Sequence, residues 1–187
     1  MVTDQDDTLA EDELVMLVAT VLTGGFLSTV NELTLVFLCL LRHPRQTALV
    51  REHPELLPGA VDELLRYNAP TAGGGLLRIA TEDVQLGGVT ISAGDAVLPA
   101  ISSANRDSGV FADADRFDVT RADNRHLTYG RGPHFCLGAG LASLELEIAI
   151  AGVLRRFPAL RLAVRPAELG VRSGHLMRGL TRLPVRW

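Results

Sequence analysis

Apolar residues dominate the chain from Leu14 to Leu41, and Arg42 is the first basic residue. Acidic Glu11, Asp12 and Glu13 stand at the start of this run, and Arg42 stands at its end. That polarity complements a helix dipole, so a first helix is predicted from near Leu9 to about Arg42. His43-Pro44 stops it, because the residue before proline avoids the helical region. A short helix is predicted around Arg45 to Glu52, before Pro54 and Pro58 break the chain. Val61, Leu64 and Leu65 mark the apolar stripe of a third helix, about Pro58 to Tyr67. Pro70 and Gly73-Gly74-Gly75 end it.

The pattern then shortens to strand length. "LLRIA" (Leu76–Ala80) reads as a strand, and "VQL" and "VTI" flank Gly87-Gly88 as a hairpin. "AVLPAI" (Ala96–Ile101) reads as another strand, with Pro99 at an edge or bulge. Ser102 to Arg125 is polar and reads as an irregular connection. After Cys136, Leu137, Leu141, Leu144, Ile148, Ala151 and Leu154 recur at helical steps and predict a buried stripe. Arg155-Arg156 and Pro158 close that helix, and "LRLAV" and "LPVRW" read as short strands. Helices at both ends with strands between predict a mostly helical α+β fold with small β-sheets, without βαβ alternation.

Composition narrows the picture. A chain of 187 residues, 47% hydrophobic and 21% charged, is long enough for one globular domain, residues 1–187. The net charge of −4 provides no basic field for nucleic acid. Two cysteines, Cys39 and Cys136, are no disulfide framework, and the acidic opening "MVTDQDDTLAED" lacks the positive region of a secretory signal. A cytoplasmic location is expected. The uncharged run Leu14–Asn31 reaches the lower edge of a membrane span. Gly24-Gly25, four hydroxyl residues (Thr20, Thr23, Ser28, Thr29) and nearby Glu32 favour a buried core helix over a span.

The chemistry concentrates in "YGRGPHFCLG", Tyr129 to Gly138. Cys136 precedes a helix start, where unpaired N–H groups and the dipole favour a thiolate, and Arg131 adds positive charge. Gly130, Gly132 and Gly138 allow tight turning and close approach of a bulky ligand. Three readings stand: an inert core thiol, a nucleophile with His134 as base, or a metal ligand. Zinc lacks its usual paired ligands here, and CxxCH is absent. A single thiolate ligand matches haem iron with an axial cysteine.

The segment resembles the cysteine-ligand loop of the cytochrome P-450 family, whose pattern is F-G-x-G-x-H-x-C-x-G. Tyr129, Gly130, Gly132, His134, Cys136 and Gly138 fill those positions, with Tyr129 in place of phenylalanine. "ELLR" supplies the family's E-x-x-R as Glu63 and Arg66, and Asp115-Arg116-Phe117 matches its D-R-F segment. The resemblance implies haem b (iron protoporphyrin IX) bound through Cys136. Arg78 and His126 would bind its propionates, and Glu63, Arg66 and Arg116 would form a structural triad. His53 and His175 read as loop residues, Arg125 as exposed, and Cys39 in "LVFLCLL" as core packing.

Two departures stand out. The family's central helix carries A/G-G-x-E/D-T-T, and here "GGFLST" occupies Gly24 to Thr29. Ser28 keeps a hydroxyl donor for dioxygen, but Leu27 replaces the acid that helps deliver protons. Glu32 shares the Ser28 face and reads as a capping or surface glutamate rather than a compensating acid. The resemblance also covers only the C-terminal half of a family member, so a partial domain is expected, with an uncovered apolar helix that favours association. The implied activity is insertion of one oxygen atom into a small organic substrate. Electrons would come from NAD(P)H through a ferredoxin-type or other redox partner, and a separate N-terminal half is a candidate partner. The alternatives are a haem-binding remnant without catalysis and a non-haem membrane or assembly protein.

Overall fold

The computed structural model describes residues 9–68, 75–172 and 177–187. Pro70, Gly73, Gly74 and His175 lie outside them. Helix α1 spans Glu11–Arg42, opened by acidic residues and by a bond from the Ala10 N–H to the Glu13 carboxylate (2.9 Å). It ends where the His43 N–H reaches the carbonyls of Cys39 and Leu40, and Pro44 begins α2, Pro44–Glu52. A 3₁₀ turn, Pro54–Leu56, leads into α3, Leu57–Asn68.

Three two-stranded antiparallel sheets follow from short strands. Strand β1 (Arg78–Ile79) pairs with β4 (Ala96–Val97), and β2 (Val84–Leu86) pairs with β3 (Val89–Ile91). Gly87 and Gly88 turn that hairpin at φ +58° and +81°, conformations that favour glycine. Strand β4 stops at Val97, short of the expected Ile101, which instead opens a one-turn helix α4, Ile101–Ala104. Pro99 cannot donate to a ladder, and its carbonyl is taken by the N–H groups of Gly75 and Ile101. Helix α5 spans Ala139–Arg156, and the tail closes with β5 (Arg161–Leu162) against β6 (Val185–Arg186).

The core lies where the second half of α1 meets α3 and α5. Val36, Cys39 and Leu40 pack with Val61, Leu64, Leu65, Leu146, Ile150, Leu154 and the loop residues Phe117 and Val119. The stripe on α5 differs from the sequence expectation. Leu137, Leu141, Leu144, Ile148 and Ala151 are exposed, while Ala139, Leu146, Ile150 and Leu154 are buried. Helix α5 is apolar on two faces, and periodicity alone does not say which face finds a neighbour.

The first part of α1 is also bare. Every described residue from Leu9 to Leu27 is exposed, including Leu22 and Phe26, so this stretch is not the buried core helix expected. By length and composition α1 is able to cross a membrane, and its most apolar stretch is uncovered.

Candidate functional site

The site rests on a buried ionic knot. Glu63 and Arg66 are fully buried one turn apart on α3. Arg66 Nε donates to Glu63 Oε2 (2.7 Å) and Nη2 to Oε1 (2.9 Å). Its remaining N–H groups reach the carbonyls of Asn105, Ala114 and Arg116. Each donor of the guanidinium therefore has a partner, as a buried cation requires. Glu63 also accepts from Arg121 Nε (3.1 Å), Asn124 Nδ2 (3.0 Å) and the Asp118 N–H (2.9 Å).

Arg121, not Arg116, is the third charged member of this knot. The Arg116 side chain is 62% exposed and faces Asp118 at 3.6 Å, contributing to the knot only its backbone carbonyl. Arg116 closes a turn begun at Asp113 with its side chain outward, whereas Arg121 folds back and also donates to the Ala112 carbonyl. Hydrogen bonds from Thr120 chiefly hold the nearby Asp118 carboxyl below its ordinary pKa.

The knot and the cysteine loop share a strut that sequence reasoning missed. Asn105 is fully buried. Its Oδ1 accepts the Leu127 N–H (2.8 Å), and its Nδ2 donates to Thr128 Oγ1 (3.0 Å). Thr128 Oγ1 in turn donates to the Leu65 carbonyl on α3 (2.8 Å). The start of the loop is thus pinned to the same helix that carries Glu63 and Arg66. Asn105 follows a short helix within a polar stretch, and only a buried amide with every partner in place betrays it.

From that anchor the loop turns tightly. Gly130 and Gly132 stand at φ +75° and +77°, in the left-handed region. The Cys136 N–H bonds the Tyr129 carbonyl (2.8 Å), and the Ala139 N–H bonds the Cys136 carbonyl (3.2 Å) as α5 begins. Cys136 is a free thiol exposed at this helix start. Gly138 caps α5, and a Cβ there would stand 4.0 Å from Cys136 Sγ. Tyr129 is half-buried, its hydroxyl 3.0 Å from Ser143 Oγ on α5, and burial pushes the phenol pKa up.

The other predicted residues fall as follows. His126 packs with its side chain almost enclosed, Nε2 3.6 Å from Asp62 Oδ1 and Nδ1 accepting the Thr128 N–H. Arg78 is exposed in β1 and makes no side-chain bond among the described residues. His134 is exposed at the end of a 3₁₀ turn, Gly132–His134, with no side-chain bond to Cys136. Ser28 is half-buried and donates to the Gly24 carbonyl, while Leu27 is 52% exposed. Cys39 is in the core as expected, and burial pushes its thiol up to about 12. His53 faces Glu55 at the surface.

These residues fit a flat, largely apolar cofactor with an anionic edge. An exposed thiol stands between exposed Phe135 and Leu137. Among the described residues the Arg78 guanidinium has no partner and is available for an anion, and a Cβ on Gly24 or Gly25 would meet no described atom from outside its own helix segment within 4 Å. Among the described residues no three His, Cys, Asp or Glu side chains converge on one point.

The comparisons with known proteins agree with this geometry. The family model described as Cytochrome P450 matches residues 1–166. Nocardicin C N-oxygenase of Nocardia uniformis subsp. tsuyamanensis is 48% identical over 182 residues, 97% of this chain and 46% of the relative. Mycinamicin IV hydroxylase/epoxidase of Micromonospora griseorubida is 43% identical over 184 residues, 98% of this chain and 46% of the relative. The crystal structure of the LnmA cytochrome P450 hydroxylase from Streptomyces atroolivaceus S-140 superposes with a TM-score of 0.93 at 49% identity, covering 99% of this chain and 48% of that one. The chain spans about half the length of the curated relatives it matches.

Proposed function

Because this chain belongs to the cytochrome P450 family, we propose that it is the haem-binding part of a monooxygenase that inserts one oxygen atom into a small organic substrate. The observation that carries this reading is the exposed thiol of Cys136, presented at the start of α5 by a loop with two left-handed glycines. Haem b, the family's cofactor, supplies dioxygen activation when bound there. Cys136 Sγ would ligate its iron as a thiolate. Tyr129, Gly130 and Gly138 shape the loop around it, and His134 lies on its rim. Arg78, exposed in β1, and His126, almost enclosed with its Nε2 3.6 Å from Asp62, would hold the carboxylates at the cofactor's edge. Ser28, on α1, would offer a hydroxyl to the bound dioxygen. Glu63, Arg66 and Arg121 keep the loop's foundation rigid.

The partners follow from the reaction. Electrons come from NAD(P)H through a ferredoxin-type or other redox protein. Relatives named for nocardicin C, mycinamicin IV and 6-deoxyerythronolide B support an organic substrate. The bare faces of α1 and α5 seat a polypeptide like the other half of those relatives, either as a separate N-terminal half or joined to this chain. We place the protein in the cytoplasm, with α1 covered by that polypeptide rather than by lipid.

The test is turnover. The haem-supplemented chain is assayed with NAD(P)H, ferredoxin and ferredoxin reductase on macrolide substrates. It is assayed alone and after co-expression with the N-terminal half of a relative. Oxygenated product in the co-expressed sample, absent in Cys136→Ala, supports the reading. Haem uptake without product in either sample would leave a cofactor-binding protein instead of a monooxygenase.

A further inference from the structure

Glu32 is neither of the things its sequence context suggests. It is 5% exposed, so it is no surface residue, and it sits well inside α1, so it caps nothing. Neither carboxyl oxygen has a hydrogen-bond partner among the described residues. A buried carboxyl without a cation or an N–H to accept from is costly as an anion. Burial accordingly pushes its pKa from 4.5 to about 8.

Its placement points toward the site. Ser28 stands four residues before it on α1, the spacing that puts two side chains on one helix face. Among the described residues the Ser28 hydroxyl is engaged only with the Gly24 carbonyl of its own helix. From Leu14 to Asn31 α1 has no ionisable side chain at all. Glu32 is therefore the acid on α1 nearest in sequence to Ser28. The titratable groups that sense its charge are Tyr129, in the cysteine loop, and Cys39, two turns further along α1. Beside it, Arg172 Nη1 reaches Asn31 Oδ1 at 3.4 Å.

Monooxygenation leaves one atom of dioxygen as water, which requires two protons and two electrons. Resting on the monooxygenase reading above, we propose that Glu32 is the buried proton-holding residue of this site, acting through Ser28 across one bridging water. The proton leaves the Glu32 carboxyl for the water, and the water protonates Ser28 Oγ. The Ser28 hydroxyl turns from Gly24 and releases its own proton to the acceptor on the ligand side. Glu32, left as a carboxylate, is reprotonated from solvent, and the electrons come from the redox partner. Glu32 is a positioning residue in this scheme, since it touches neither substrate nor cofactor.

Infrared difference spectroscopy on the full chain tests this. A protonated-carboxyl C=O band is expected at neutral pH, lost in Glu32→Gln and in Glu32→Leu. It should shift in Ser28→Ala, and shift again when carbon monoxide binds the reduced, haem-loaded chain. A band absent at neutral pH overturns the proposal. So does a band unmoved by both Ser28→Ala and carbon monoxide in a chain that has taken up haem. Failure of haem uptake is a different result: it removes the monooxygenase reading, while the Ser28→Ala shift in the haem-free chain still reports whether the two residues are coupled.

Discussion

The two ends of the molecule obey opposite rules. Glu63 and Arg66 are both fully enclosed and every donor of the guanidinium is used. Along α1 from Leu9 to Leu27 every residue is exposed although most are apolar. The first region is complete within this chain, because its partners come from α3 and from the loops between α4 and α5. The second presents an apolar face that no described residue covers. Cys136 belongs to the complete region through Asn105 and Thr128, and Ser28 belongs to the open one. Cofactor ligation and catalysis therefore make different demands. On the proposed reading, ligation would draw on the finished half, whereas a closed substrate pocket would need cover over α1.

The comparison breaks first if the ionic knot is dispensable. Arg66→Met strips a buried carboxylate of its main partner, and removing one member of such a pair costs about 3–5 kcal/mol. Urea denaturation should show the variant largely unfolded, and a stability near that of the unaltered chain would deny the knot its role.

Glu32 should reveal itself through pH. Its folded pKa, about 8, lies above the ordinary 4.5, so the folded chain holds a proton that the unfolded chain releases between those values. Its stabilising contribution is complete below about pH 4.5 and is lost as pH rises through about 8, at roughly 1.4 kcal/mol per unit of separation. Glu32→Gln should flatten this part of the stability profile.

A finer cut separates Arg121 from Arg116. Arg121→Ala removes a charge-assisted bond to buried Glu63 and should cost about 1.5–3 kcal/mol. Arg116→Ala removes an exposed pair with Asp118 and should stay within about 0.5 kcal/mol. Equal losses in urea denaturation would return Arg116 to the knot. The smallest stability effect belongs to the bare face. Leu141→Glu, on the exposed side of α5, should leave stability within about 0.5 kcal/mol while reducing self-association in sedimentation. A large loss of stability would mean that this face is already packed.

Much of this was legible in the sequence, for identifiable reasons. The ends of α1, α2 and α3 follow from the acidic start of α1, Arg42 and the prolines, which act locally. The Gly87-Gly88 hairpin follows from turn chemistry, and the loop around Cys136 from residue types at fixed spacing. What stayed hidden depends on neighbours. Helix α5 carries two apolar stripes, and only packing tells Leu146 and Ile150 from Leu141 and Ile148. Arg116 and Arg121 occupy the same polar connection, and the turn between them decides which folds inward. Glu32 follows a run of small and polar residues that suggests a surface, yet its carboxyl is enclosed.

The central claim is that Cys136 is the axial ligand and that this chain holds what ligation needs. An absorption spectrum of the haem-loaded chain, reduced and exposed to carbon monoxide, tests it most directly. The account predicts the strongly red-shifted Soret band of thiolate ligation, lost in Cys136→Ala. A band at the position of nitrogen-ligated haem, or one indifferent to Cys136→Ala, would contradict it.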